Sequence, residues 1–308
     1  MTARDGDIEA MAKSMSDHLA DAAQTQDSFT QDLVQASHGI LRAIVEPLVT
    51  QMGFRETLAE PVVLLDSACG SGVLTQEVQA ALSGEVLARS SFTCADKAVG
   101  MVDLVKKRIV EEKWVNAEAK VLDATNTGLP DSSFSHVAVA LALHIIPDPD
   151  AVVKDCIRIL KPGGVFGAST WPKATADMFW IPDMRTALES LPFDAPMPDP
   201  VPMQIHHSGR WDDAAWVERH LAEDLGLTGV SVRESEGEYR FESADEFMAT
   251  FHIMVQWLMN TFWSDEVRER HSAEEVKALV KRHLEEKYGG KGWSIRWRVI
   301  CMTATVAK

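Results

Sequence analysis

Cysteine is scarce in this chain of 308 residues: there are four, Cys69, Cys94, Cys156 and Cys301, and no C-x-x-C pair. Scattered thiols inside apolar stretches argue against a disulfide framework or a thiolate metal site, and read as buried free cysteines of a reducing compartment. Positive charge is also short, with 30 Lys and Arg against 46 Asp and Glu and a formal net charge of -16. That balance argues against a nucleic-acid partner, which is held largely through clustered Lys and Arg, and disfavours an anionic membrane surface. No apolar run approaches the ~20 residues of a membrane-spanning helix. The polar, acidic N-terminal stretch has no apolar secretion segment, so the expected location is cytoplasmic. His206-His207 is the only histidine pair, and adjacent residues on extended chain point apart; no third ligand accompanies them, so no metal site is expected.

Against these absences stands one dense stretch, Val62 to Thr75. Val62-Val63-Leu64-Leu65 reads as a strand buried on both faces, closed by Asp66. Ser67 to Gly72 then makes a tight turn into a helix, with Gly70 and Gly72 free to take positive φ and to let backbone approach a ligand. A turn at the carboxyl end of a strand and the start of a helix is a nucleotide-binding position. The dinucleotide fingerprint asks for a third Gly or Ala where this chain has Thr75, and a phosphate-cradling loop needs a lysine that is missing here.

The stretch Leu65-Asp66-Ser67-Ala68-Cys69-Gly70-Ser71-Gly72 resembles the first motif of class I S-adenosylmethionine (SAM)-dependent methyltransferases, in their ubiquinone/menaquinone methyltransferase-like branch. Three later elements continue the resemblance: Asp96, Asp123-Ala124 with the loop Leu129 to Phe134, and Leu160-Lys161-Pro162-Gly163-Gly164. It covers residues 60–172 well and the rest only by layout. Where the family commonly has Phe-Asp entering the fourth strand, this chain has Phe134-Ser135-His136. The resemblance implies SAM as cofactor, held by Asp66, Ala68, Gly70, Gly72, Asp96, Lys97, Met101, Asp123, Ala124 and Leu141. Asp96 follows Gly72 at about the spacing at which an acid meets ribose hydroxyls in open α/β sheets. In the family Asp123 accepts from the adenine amino group. Each aspartate has a plainer reading, as a strand-terminal carboxylate capping the next helix.

Strand and helix alternate through residue 170, the pattern of a doubly wound parallel sheet. The fold expected is α/β, a Rossmann-like, mostly parallel seven-stranded sheet with a helical lid and insertions. Residues 1–26 read as a flexible leader and 27–57 as lid helices, one amphipathic helix from Ser28 to Met52 being broken near Pro47. Residues 58–172 form the cofactor core, with strands expected at 91–96, 120–124, 134–146 and 165–170 and a helix at 76–87. Residues 173–228 make a substrate-side insertion, irregular where proline is dense (172–210), followed by a helix over 212–225. Residues 229–308 supply two last strands with inserted helices, opened by capping boxes at Ser243/Glu246 and Ser272/Glu275.

Nine tryptophans against two tyrosines favour a flat-walled apolar pocket for a small acceptor, with Trp171, Phe179, Trp180, Trp257 and Phe262 as its walls. His144, late in the fourth apolar run, is the candidate base, needed if the acceptor arrives protonated; otherwise it packs. The later embellishments resemble fungal secondary-metabolite methyltransferases, among them enzymes that S-methylate dithiols of the gliotoxin type. A small-molecule methyltransferase, monomeric or homodimeric, is the leading reading. A regulatory protein on the same fold without turnover, or an O-, N- or C-methyltransferase, remains open. Nucleic-acid methyltransferases carry Asp/Asn-Pro-Pro-aromatic after the fourth strand, where this chain has Leu141-Ala142-Leu143-His144.

Overall fold

The computed structural model describes residues 27–307, with side chains from residue 31; the leader expected at 1–26 lies outside them. The apolar run before the glycine turn forms β1 (Val63–Ser67), buried along nearly its whole length. β2 (Ser91–Asp96), β3 (Ala117–Val121), β4 (Phe134–Val139) and β5 (Leu160–Thr170) run parallel in the same sheet. β6 (Thr228–Phe241) and β7 (Trp293–Thr305) complete it in the order β3-β2-β1-β4-β5-β7-β6, with β7 antiparallel to both neighbours. Strand order reverses between β1 and β4, which opens a crevice outside their carboxyl ends.

The period-2 alternation of β1 sorts the layers. Leu64, with Phe92 beside it in register and Ala138 two residues along the same face of β4, faces α2 (Ile40–Gln51) and α3 (Val73–Ala81). Leu65, with Val137, faces α6 (Pro149–Ile159) and α8 (Ala214–Arg219) on the other side. Ahead of α2 lies α1 (Asp27–His38); α4 (Gly84–Arg89) and α5 (Val99–Glu111) flank β2; α7 (Ile181–Glu189) follows β5. Between β6 and β7 come α9 (Ala244–Phe262), α10 (Asp265–Arg270) and α11 (Ala273–Tyr288). Phe247, Phe251 and Trp257 of α9 are buried, and each such side chain contributes about 1.5–3 kcal/mol to docking that helix. Among the described residues no helix is long and apolar enough to cross a membrane.

Several boundaries differ from the sequence reading. The first amphipathic segment breaks at Gly39, not Pro47, which lies inside α2. Gly39 takes φ -106° and ψ -120°, outside the helical region, and a Cβ there would stand 2.7 Å from the Tyr239 hydroxyl of β6, so the break falls where glycine is favoured. Pro47 is tolerated because the carbonyl it leaves unbonded, on Ala43, sits on a half-exposed face within reach of water. The helix expected over 76–87 is two, because Ser83 stops α3 and caps α4 by accepting from Val86 N. The third strand lies earlier than expected, at 117–121, since Asp123 leaves the ladder to bond Thr125. The fourth strand ends at Val139, where Leu141 turns to φ 53° and donates to Ser169 O. The proline-dense stretch 172–210 is irregular as expected except for α7, where Pro182 falls in the first turn and its missing N–H costs nothing. α8 is shorter than expected, widening into a π turn over His220–Asp224.

Other local readings hold. Ser243 and Ser272 accept from Glu246 N and Glu275 N, and Glu246 reaches back to Glu242 N at 2.8 Å. Ser135, standing where the resembling family has Asp, accepts from Val63 N at 2.9 Å and donates to Val63 O, so a hydroxyl ties β4 to β1.

Candidate active site

The turn after β1 is built from left-handed residues: Ala68 at φ 53°, Gly70 at 51° and Gly72 at 78°. At Gly72 a Cβ would lie 3.0 Å from the Trp114 ring, so both conformation and space require glycine. At Gly70 nothing lies within 4 Å of the Cβ position, so this side of the turn faces open space. Cys69 N donates to Ala95 O at 2.9 Å, which pins the turn to β2, and Gly72 N to Cys69 O at 2.8 Å, which closes the turn on itself.

Two aspartates frame it. Asp66 is 1% exposed; its Oδ2 accepts from Thr75 Oγ1 at 2.8 Å and Thr75 N at 3.2 Å. Thr75, which broke the dinucleotide fingerprint, is therefore the anchor of the first acid. The other oxygen, Oδ1, is buried with no hydrogen-bond partner among the described residues. Burial pushes the Asp66 carboxyl up to about 7, against the Thr75 bonds that pull it down; nearby Asp96 adds to the rise. Asp96 accepts from Gly70 N at 3.0 Å through Oδ2 and from Ala98 N at 2.9 Å through Oδ1. Burial raises its pKa above the usual carboxylate range, and the main-chain donors and Lys97 only partly offset this. The capping reading of Asp96 is thus real, yet each oxygen keeps a lone pair for a further donor.

The remaining expected cofactor residues gather at the same edge. Lys97 is exposed and its charge acts on both Asp96 and Asp123. Met101 is buried against Leu33 of α1 and Ile253 and Met254 of α9, so these helices cover that side of the crevice. Leu122 N donates to Asp96 O at 3.1 Å, bringing the β3 end beside the β2 end. Asp123 is exposed; its Oδ1 accepts from Thr125 Oγ1 and N, which hold its pKa below the ordinary value. Ala124 packs half-buried beside it. Leu141 N donates to Ser169 O and Oγ at 3.0 and 3.1 Å, a strained residue fixed at the switch point.

His144 lies five residues past β4, in a loop and not at a strand end. It is buried, its carbonyl accepts from Ile205 N at 3.0 Å, and its Nδ1 has no partner among the described residues. Burial, then the neighbouring His206, drives its pKa down to about 3, so the ring is neutral at physiological pH. His206 is held by Leu143 O at Nε2 and Ser208 N at Nδ1, which makes Nε2 the protonated nitrogen. Among the described residues no three His, Cys, Asp or Glu are grouped to hold a metal ion.

The Trp171 ring stands edge-on to His144 at 6.2 Å, then Phe179 at 4.7 Å from Trp171 and Phe251 at 5.0 Å from Phe179. Trp257 and Phe262 form a separate pair at 5.5 Å within the same apolar cluster as Trp180, and Trp257 Nε1 is a buried donor without a partner among the described residues. Sequence reasoning missed Phe251 and Gln204. The Gln204 amide nitrogen donates to His206 O and Gly209 O, which orients the buried Oε1 as an unmatched acceptor. Arg108 was also missed, although a cation among Met101, Leu104 and Val105 on one helix face was a visible signal. Two broad surface grooves, of about 780 and 660 Å³, are lined by none of these expected site residues.

A methyltransferase-domain family model matches residues 65–168. Methyltransferase tpcH of Aspergillus fumigatus is 32% identical over 247 residues, covering 80% of this chain and 85% of that protein. Methyltransferase ktnA of Aspergillus niger is 30% identical over 264 residues, 80% of this chain and 85% of its own. The acetylaranotin bis-thiomethyltransferase of Aspergillus terreus is 27% identical over 258 residues, 83% and 87% of the two chains. The matched domain runs from the end of β1 through β5, the segment that carries the glycine turn and both framing aspartates. The chain belongs to the class I SAM-dependent methyltransferases.

Proposed function

We propose that the protein transfers the SAM methyl group to a thiol of a small, largely apolar secondary metabolite. The observation that carries this reading is a neutral, buried His144 with an unmatched ring nitrogen, in the loop after β4, against Trp171, which itself packs on Phe179. The likeness to a bis-thiomethyltransferase over most of both chains supports sulfur as the acceptor atom.

When bound, SAM supplies an activated methyl group on a sulfonium, taken by a nucleophile in one in-line displacement. The residues present suit such a ligand: Asp66 Oδ1 lacks a partner that an ammonium would supply, and Gly70 leaves room for close approach. Asp96 would accept from the ribose hydroxyls with its remaining lone pairs and Asp123 from the adenine amino group, with Met101, Ala124 and Leu141 as the residues that would line the ring. Trp171, Phe179, Trp180, Trp257 and Phe262 enclose the acceptor and exclude water. The free His144 ring nitrogen stands as a hydrogen-bonding partner for the acceptor sulfur. Full proton transfer from a thiol near ~8.5 to an imidazole at about 3 is uphill by roughly 7 kcal/mol. His144 therefore orients the sulfur without acting as its base, and the thiol loses its proton to solvent before the aromatic walls close over it.

The test is incubation with SAM and matched acceptors that differ only in bearing a thiol, a hydroxyl or an amine, with products read by mass spectrometry. S-methylation is expected; methyl transfer confined to oxygen or nitrogen, or to none, refutes the proposal.

A further inference from the structure

Arg108 is 1% exposed, and its side chain bonds the glycine turn, the start of α3 that follows it and the end of its own helix. Nη1 donates to Ser71 O in the glycine turn at 2.6 Å, and Nη2 to Gln76 Oε1 on α3. Nε and Nη2 grip both oxygens of Glu112, at 2.7 and 3.2 Å. The guanidinium stands 5.1 Å from the Trp114 ring, the ring that forbids a side chain at Gly72, and Trp114 Nε1 donates to Glu112 at 3.1 Å. The network continues into the covering helix α1. Ser71 Oγ and Ser37 Oγ are 2.7 Å apart, Gln76 Nε2 donates to Ser37 O at 3.4 Å, and His38 lies 3.4 Å from Glu112.

Burying a guanidinium is expensive, and an aliphatic residue would fill the same space at less cost. What an aliphatic residue lacks is a planar fork able to hold a carbonyl, an amide and a carboxylate in one fixed geometry, which lysine cannot reproduce either. We propose that Arg108 is a positioning residue for cofactor binding, locking the glycine turn and helix α1 into one unit so that the cradle and its cover form together. Arg108 itself touches no cofactor atom; it acts through Ser71 and Gln76. The inference rests on the placement of SAM at the glycine turn proposed above.

The experiment measures SAM affinity by calorimetry and amide hydrogen exchange on the full chain, well below the melting temperature, for the wild type, Arg108→Lys, Ser37→Ala, their double variant and Asp96→Ala. Arg108→Lys is expected to weaken SAM binding at least tenfold and to speed exchange in α1 and residues 68–72 while β4 and β5 stay protected. The double variant should lose no more than Arg108→Lys alone, as for members of one network. SAM affinity within twofold of wild type in Arg108→Lys, or loosening spread evenly over the sheet, overturns the proposal. Should Arg108→Lys not fold, Gln76→Leu removes one of the two links to Ser37 and one acceptor of Arg108 with Arg108 in place; it is expected to weaken binding too, and unchanged affinity overturns the proposal equally. Asp96→Ala separates the two levels: weakened binding there with none in Arg108→Lys defeats this inference alone, while unchanged binding in Asp96→Ala defeats the placement of the cofactor.

Discussion

Replacing Asp66 by Asn should make the protein without cofactor more stable and its grip on SAM weaker. The folded-state carboxyl titrates at about 7 because it is buried, against ~3.9 in an unfolded chain. The folded state thus holds the proton more tightly than the unfolded one, so the contribution favours folding below pH ~4 and is lost as pH rises through 7. Three units correspond to about 4 kcal/mol at pH 8. The amide oxygen of Asn still accepts from Thr75 N and Oγ1, while its NH₂ replaces an unmatched oxygen by an unmatched donor, costing roughly 1–2 kcal/mol. The net gain is about 2–3 kcal/mol, or ~4 °C in Tm for a chain of this length. Calorimetric scans of both proteins at pH 8 and pH 4.5 test it: the gap should be largest at pH 8 and nearly vanish or invert at pH 4.5, where the wild-type carboxyl is protonated. SAM affinity at pH 8 should fall about tenfold or more, because Asn offers no charge to the cofactor ammonium. A Tm gap that is absent at pH 8, or equal at both pH values, refutes the reasoning. The pattern expected is a site whose unmatched charge is held at the expense of stability until the ligand arrives.

Asp96→Ala should weaken SAM binding by about 1.5–3 kcal/mol, the loss of charge-assisted hydrogen bonds, and should also free Gly70 N and Ala98 N. Calorimetry that finds an unchanged affinity returns Asp96 to pure capping. His144→Ala should lower kcat about tenfold, the value of one orienting hydrogen bond, with SAM affinity unchanged. Because the imidazole is already neutral with its pKa near 3, that deficit should stay constant from pH 6 to 9; a deficit that shrinks as pH rises would identify proton removal as the histidine's contribution instead.

Much of the core was legible because it is local in sequence. The glycine turn, the apolar strand before it and the acid closing β2 lie within residues 62–96, where pattern and spacing act over neighbours in the chain. The capping boxes were legible for the same reason: Ser and Glu three residues apart satisfy the first helical turn without help from the rest of the fold. Boundaries failed where a distant element intervened. At Gly39, where the first helix breaks, the Tyr239 hydroxyl two hundred residues later stands 2.7 Å from the Cβ position, and nothing near residue 39 records that contact.

The electrostatics of the site belonged to the tertiary structure. From the sequence His144 was a candidate base with an ordinary imidazole pKa; burial beside Trp171 and His206 makes it a neutral hydrogen-bonding group. Asp66 was one motif carboxylate among several until the packed sheet desolvated it, and Asp96 was either a cap or a ligand until the turn donated Gly70 N to it. Arg108 gained its meaning only when α5 brought it under a turn 37 residues earlier in the chain. Residue types and their short-range spacing determined the fold class and carried the family resemblance that implies the cofactor. Solvent exclusion and long-range contact, which exist only in the folded chain, decided which of those residues carry charge and which hold the others in place.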